Sequence, residues 1–377
     1  MTCYKINVFK ELIEKYVTWD DLRIYLESEE GGLFKVVDQN DMFYMIRYEK
    51  GVSKMDLPHS KWFRSVVWNS KTHRPVCVAP PKASTDFSFE SGLISGLICQ
   101  ELLDGFMINC FKDKTLHITS RSKLDAAGNF YSKRSFRDLF TEAYGETFNK
   151  DCYTNYSTDP SNTFYSFLVQ HKEHRVVKKI ETNRVFVVHK GVVLENGVVE
   201  IQDTASNIET IPHEMDTQWV KNIMIQNDWQ FQGIVFKDNI GNRWKFRSDK
   251  YNAVKALRGN SSNVCDRFTQ LITQNLLYKY LEYYQEDMIP MTMHVMFLNN
   301  IIKILYDYYV NMHIKKIKMD INRMYLPHLY NIHGLYLTQL RPNRVTMNDI
   351  SLYLHRQPWQ RISFLITSFK NTFKEIT

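Results

Sequence analysis

The stretch CQELLDGFMIN, Cys99 to Asn109, sets Asp104-Gly105 inside an apolar run and has the look of a strand–turn–strand corner. Two residues before the aspartate stands Leu102, whose alkyl side chain cannot act as a nucleophile. Positive charge recurs along the same half of the chain, at Arg64, Arg121, Arg175 and the alternating pair Lys245-Phe246-Arg247. Such groups hold phosphates, although arginine cannot serve as an acid or base near neutral pH. HKEH spaces His171 and His174 three apart around Glu173, with strand-like flanks that favour a solvated turn over a metal site. There is no phosphate-binding P-loop, no G-x-S-x-G and no H-E-x-x-H. RGNSSN reads as a helix start capped by Asn and Ser. Trp219 and Trp229 read as packing, with a base-stacking platform as the other use of such rings.

The elements that must position these residues fall into two textures. Residues 5 to 28 read as helical, with Thr18 and Asp21 as a cap before DLRIYL. From about 33 to 250 short β-branched and aromatic runs dominate: LFKVVD, MFYMIRY, RSVVWN, RPVCVA, GFMINCF, LHITSR, FYSFLVQ, RVFVVH, QGIVFK and RWKFRS. One helix, SKRSFRDLFTEAYGETF, interrupts them. After Leu257–Asn263 the spacing turns helical, first at Phe268, Leu271, Ile272, Leu277, Leu281 and Tyr284. It continues at Leu298, Ile301, Ile302, Leu305, Tyr309 and Met312, then at Trp359, Ile362, Ile366, Phe369 and Phe373. The expected architecture is α+β, with antiparallel sheets and flanking helices over 1–258 and an all-helical domain over 259–377.

In chain order, FRSVVWN, ELLDG, ITSRSK, FLVQHKEHRVV, FQGIVFKD and WKFRSDKY resemble the T4 RNA ligase 1-like members of the covalent nucleotidyltransferase superfamily. That superfamily includes RNA ligases, DNA ligases and capping enzymes, and the resemblance spans residues 35 to 258. RYEK, RPVCVAPPK, DGFMINCF and FLVQHKEHRVV look closer still to ligase-like proteins of large DNA viruses. The resemblance implies a nucleotidyltransferase fold in which a lysine amine attacks the α-phosphate of ATP. Carboxylates bind the ribose and the divalent metal, and basic residues hold the phosphates.

Carried over residue by residue, the nucleophile position is Leu102, and the Asp-Gly that follows it is kept as Asp104 and Gly105. The third motif keeps Arg175, but the glutamate seven residues before it is Leu168. The glutamate of E-G-x-V is Gln232, and K-x-K reads Lys245-Phe246-Arg247. Arg64 keeps the place of an R-G, with Ser65 for the glycine. The expectation is a catalytically inactive ligase-like protein, of viral source by the same resemblance, that needs no cofactor or metal. The alternative is an active ATP-dependent RNA ligase using ATP and Mg²⁺ through another lysine. Its candidates are Lys82, Lys112, Lys114 and Lys123, which a shift of register along a strand displaces by tens of ångströms.

The 377 residues suffice for two domains, and 44% hydrophobic and 14% aromatic content excludes a disordered chain. From Ile314 onward stand ten Lys/Arg and three Asp/Glu, a surplus of seven that equals the whole formal charge of +7. Lys315, Lys316, Lys318, Arg323, Arg341, Arg344, Arg356 and Arg361 are its candidate contacts for nucleic acid, RNA before DNA, or for an acidic protein surface. Six scattered cysteines without a C-x-x-C pair suit a reducing, cytoplasmic setting. No signal peptide and no membrane span is expected. A viral factory, a replication site or the virion is the setting that the resemblance implies.

Overall fold

The computed structural model describes residues 3–85, 97–202, 208–212 and 217–374. Two compact units divide the chain, Met1–Ala253 and Val254–Thr377. The expected division at residue 258 lies at the C-terminal residue of the helix Asp249–Arg258, inside which the units part.

Unit 1 is built on antiparallel strands. A six-stranded sheet runs in the order β1 (Cys3–Ile6), β11 (Val199–Gln202), β10 (Arg184–Val193), β9 (Thr163–Gln170), β7 (Phe106–Asp113), β8 (Thr115–Thr119). A four-stranded sheet runs β2 (Lys35–Gln39), β3 (Phe43–Arg47), β4 (Val66–Asn69), β5 (Arg74–Val78). A three-stranded sheet runs β13 (Arg243–Arg247), β12 (Gly233–Lys237), β6 (Ile98–Glu101).

Alternation of side chains explains why β9 reads as an almost continuous apolar run. Tyr165, Phe167 and Val169 point into a core with Leu139, Phe140, Ala143 and Tyr144 of the helix α3 (Phe136–Phe148). Phe164, on the opposite face, joins a second core with the four-stranded sheet and the helices α1 (Val8–Lys15) and α2 (Trp19–Glu27). The third sheet packs Cys99, Ile234, Phe236 and the β13 rings Trp244 and Phe246 against Val220 of α5 (Thr217–Gln226).

Each of the ten β runs named above forms a strand or the body of one. The N-terminus is not helical throughout residues 5 to 28. Cys3–Ile6 is an edge strand paired with β11, and Tyr16–Thr18 separates α1 from α2. The pairing partner is almost 200 residues away, which no local pattern records. Thr18 does cap α2, its Oγ1 accepting from the Asp21 amide at 3.2 Å. The short strand β11 was likewise not anticipated.

Unit 2 is helical, through α7 (Val264–Thr273), α8 (Leu277–Tyr283), α9 (Met288–Tyr309), α10 (Leu326–Leu335), α11 (Met347–His355) and α12 (Trp359–Lys374). α6 is the Asp249–Arg258 helix at the division. Asn263 caps α7 through a 2.9 Å bond from the Cys265 amide, as RGNSSN suggested. Leu298, Ile301, Ile302 and Leu305 of α9 pack with Leu329 and Ile332, with Ile350 and Leu354, and with Ile362, Leu365 and Ile366. The side chain of Phe373 lies outside the described residues. The helices α10 and α11 were not read from the sequence, because their apolar stripes are short.

Against the expectation of no membrane span stands one weak candidate helix among the described residues. Gln285–Ile314 reaches the length and mean hydropathy, 1.3, of a candidate membrane span. Thr292, His294, Asn299, Asn300, Lys303 and Asp307 interrupt its apolar sequence, which hides this on a plain reading. Only a third of the apolar window is buried.

Candidate phosphate-binding groove

The Asp104-Gly105 corner joins β6 to β7, as the opening stretch suggested. Gly105 has φ +153°, and a Cβ there would sit 2.4 Å from the carbonyl oxygen of Val169. The corner therefore brings backbone against β9 more closely than any side chain allows. Asp104 is buried, and its Oδ2 accepts from the Val177 and Lys178 amides, both at 3.0 Å. Its carbonyl accepts from Gln170 Nε2 at 2.9 Å. The kept aspartate is thus an anchor for the segment after β9, and Arg175 closes that segment by donating from Nε to the Val177 carbonyl at 2.9 Å. The Arg175 guanidinium also lies 6.0 Å from the Trp229 ring centre. Leu168 pairs with Met107 across β9 and β7 and lies on the same side as the corner, 3.4 Å from the position of a Gly105 Cβ.

Leu102 continues β6, donating its amide to the Gly233 carbonyl at 2.8 Å. This contact sets Leu102 beside Gln232, which is buried. With its amide turned to suit its neighbours, Gln232 donates to the carbonyls of Leu102 and Leu103 at 3.2 and 3.0 Å and accepts from Arg247 Nη2 at 3.1 Å. A carboxylate at this position has no proton for those two carbonyls. The amide is the side chain that fits here, so Gln232 knits the Leu102–Leu103 backbone to the basic strand.

On β13 the period of two places Arg243, Lys245 and Arg247 on one face, with Trp244 and Phe246 in the core on the other. Arg64, half-buried before β4, has its pKa pushed down to about 10, by burial first and then by the positive charge of Arg243, Arg121 and Arg247. Arg47, at the end of β3, is pushed down by burial and then by Arg121. The Arg121 guanidinium lies 4.8 Å from the Tyr48 ring centre and Lys82 Nζ lies 5.4 Å from it. The Nε atoms of Arg47 and Arg121 are buried with no hydrogen-bond partner. Among the described residues none of Arg47, Arg64, Arg121 and Arg247 forms an ion pair. A cavity of about 340 Å³ next to this group is lined by Lys61, Lys82, Arg243 and Lys245.

Arg64, Arg121 and Arg247 therefore converge, with Leu102 and Gln232 beside them, and Lys245 lines the adjoining cavity. Asp104, Gly105, Leu168 and Arg175 form the neighbouring corner. Arg47, Tyr48 and Arg243 were missed. The alternation in RWKFR carried the signal for Arg243. Arg47 and Tyr48 come into place through the pairing of β3 with β4, where Ile46 opposes Val66 and the Tyr48 amide donates to Phe63 at 2.7 Å.

The other lysines separate. Lys112 donates to the carbonyls of Ser157 and Asp159, and Lys123 pairs with Asp38 at 3.6 Å. Lys114 is exposed in the turn at the far end of β7. Lys82 alone of the four touches the arginine group, through Tyr48.

HKEH is a turn, but it is not solvated: His171 and His174 are 1% and 5% exposed, and His171 Nε2 faces Glu142 at 3.5 Å. Among the described residues no cluster of three or more His, Cys, Asp or Glu could hold a metal.

In unit 2, Lys315, Lys316, Lys318, Arg323, Arg341, Arg344, Arg356 and Arg361 are all exposed. Among the described residues none of the eight forms an ion pair. They are spread from the α9–α10 connection to α12.

The architecture is mixed α+β, with antiparallel sheets followed by C-terminal helices. No family model and no curated protein matches the sequence. Solved structures with a similar arrangement include an archaeal ATP-dependent RNA ligase in two forms. One is 10% identical over 70% of this chain and 68% of that one, with a TM-score of 0.35. The other is 10% identical over 93% and 99%, also with a TM-score of 0.35. A protein described as an ATP-dependent DNA ligase from Aquifex aeolicus is 12% identical over 85% and 80%, with a TM-score of 0.37.

Proposed function

We propose that this chain is an RNA-ligase-like nucleotidyltransferase that has given up adenylyl transfer and binds nucleic-acid phosphates in the arginine-lined groove of unit 1. The carrying observation is the convergence of Arg121, Arg243 and Arg247 on Arg64, with Arg47 beside Arg121, next to an alkyl group at the nucleophile position. Clustered cations focus a positive potential and raise the local concentration of a polyanion. Arg64 stays protonated at neutral pH even with its pKa pushed down to about 10. Loss of the lysine and of both carboxylates, at 102, 168 and 232, removes the nucleophile and the metal-binding charge together. Single-stranded RNA is the preferred ligand, on the motif order. The phrase-level likeness to ligase-like proteins of large DNA viruses supports a viral source and a structural part in virions or at replication sites.

A second reading is favoured by one contact. Lys82 lies against Tyr48, the ring that Arg121 also covers, so an amine is available beside the phosphate-binding group. In that reading Lys82 takes the adenylyl group from ATP with Mg²⁺ bound, forming a P–N bond as pyrophosphate leaves.

Incubation with α-labelled ATP and Mg²⁺, followed by denaturing electrophoresis and intact mass, separates the two readings. The expected result is no covalent label, together with single-stranded RNA binding that weakens with salt. A stable label that Lys82→Arg abolishes supports the second reading and overturns the first. Absence of RNA binding at low salt overturns the groove as a nucleic-acid site.

A further inference from the structure

The connection between α9 and α10 in unit 2 carries the sequence IKKIKMDI, Ile314 to Ile321. Ile314, Ile317 and Met319 are 54%, 50% and 38% exposed, and Lys315, Lys316 and Lys318 between them are exposed as well. The segment is tied down. The Lys315 amide donates to the Val310 carbonyl and the Ile317 amide to Asn311, both at 2.9 Å. His313, just before it, stacks on His333 of α10 with ring centres 4.0 Å apart. Anchored backbone therefore holds aliphatic and cationic side chains out together, alternating along the chain. A concavity of about 740 Å³ opens there, with Met312, Ile317, Ile321 and Leu326 supplying apolar surface and Lys316 and Lys318 supplying charge. Among the described residues Asp320 is the one acidic group that lines it.

This chemistry discriminates between ligands. A nucleic-acid strand gains from aromatic platforms, and among the described residues none that lines it is aromatic. A bilayer surface is met by a flat or convex face, whereas this feature is concave. Adaptable methionine and branched aliphatic groups under a rim of lysines match an amphipathic segment that brings apolar side chains and carboxylates together.

We propose that the Ile314–Leu326 concavity docks an acidic amphipathic helix or strand of a partner protein. Its apolar side chains enter against Met312, Ile317, Ile321 and Leu326, and its carboxylates pair with Lys316 and Lys318. This site is independent of the groove in unit 1.

The test uses the full chain and three fluorescent peptides: an amphipathic leucine/glutamate helix, its lysine-for-glutamate counterpart, and its serine-for-leucine counterpart. The acidic amphipathic peptide is expected to bind, and the other two are not. Ile317→Ser, and separately Lys316→Glu with Lys318→Glu, should each weaken it by about tenfold or more, as loss of a docking anchor does. Both sites are exposed, and circular dichroism checks that the variants stay folded. Equal binding by all three peptides, or by wild type and both variants, overturns the proposal. Loss of single-stranded RNA binding, or of binding to phosphatidylserine vesicles, in these loop variants without loss of peptide binding assigns the surface to that ligand and also overturns it. Failure of the groove reading leaves RNA binding absent while these peptide outcomes stand.

Discussion

Replacing Gln232 by glutamate restores the residue type that the ligase pattern has at this position, and the surroundings oppose it. The amide donates to the Leu102 and Leu103 carbonyls at 3.2 and 3.0 Å and accepts from Arg247 at 3.1 Å. An ionised carboxylate keeps and strengthens the Arg247 bond by roughly 1 kcal/mol, but turns two donor contacts into oxygen–oxygen contacts. Leaving two half-buried carbonyls without a donor costs about 1–3 kcal/mol each, nearer the lower end, so the expected net loss is about 2 kcal/mol. At roughly 2–4 °C per kcal/mol for a unit of this size, Tm falls by about 4–8 °C. The sign with pH is the sharper test. Facing carbonyls favour the protonated carboxyl and raise its folded pKa above the ~4.3 of a free glutamate. The deficit is then fully present above that raised pKa and shrinks as pH falls through it, because one carbonyl regains a donor. Thermal melts of wild type and Gln232→Glu at about pH 8 and about pH 5 measure this. A variant as stable as wild type at the higher pH, and less stable on acidification, would falsify the lock and mark a working carboxylate site held by Arg247.

Further outcomes follow from the same geometry. Leu102→Lys alone should gain no covalent label from ATP, since Leu168 and Gln232 still lack charge; a labelled band in that variant would show that the site needs only its nucleophile. Asp104→Ala leaves the Val177 and Lys178 amides unpaired; chemical denaturation should register about 2–4 kcal/mol, and a change under 1 kcal/mol would refute the anchoring role. Arg64→Gln and Arg121→Gln should each lower the salt slope for single-stranded RNA by about 0.7, and unchanged slopes would place the strand elsewhere. His189 is buried, with its Nε2 3.0 Å from the Val78 carbonyl and 3.1 Å from Ser166 Oγ, and burial followed by the charge of Arg243 pushes its pKa down to about 3. Its stabilising contribution is fully present above the unfolded value of ~6.5 and is lost as pH falls towards the folded one. NMR should therefore show no titration of this ring between about pH 8 and about pH 5, and a midpoint near 6.5 would contradict its burial.

Much of this was legible before any coordinates. Each β run was readable because branched and aromatic residues alternate or cluster at strand length, and β13 even declared its basic face through RWKFR. What stands at 102 and 232 is a matter of residue type, and no folding can give leucine a nucleophile. Position 168 required both the spacing to Arg175 and the strand that carries it. The cap at Thr18 and the start at Asn263 were local, since each depends on atoms two or three residues apart.

What lay beyond the sequence was non-local. Cys3–Ile6 becomes a strand only because β11 offers an edge, and helical periodicity nearby concealed it. Tyr48 and Arg47 reach Arg64 through strand register, and Arg121 arrives from the end of another sheet. Residue types and short-range spacing determined which side chains stand at positions 102, 168 and 232. Only tertiary structure decided that Gln232 is a fitted donor, because that depends on which carbonyls face it, and that five separate arginines meet, because like charges are brought together by the burial of the strands that carry them and not by any attraction of their own.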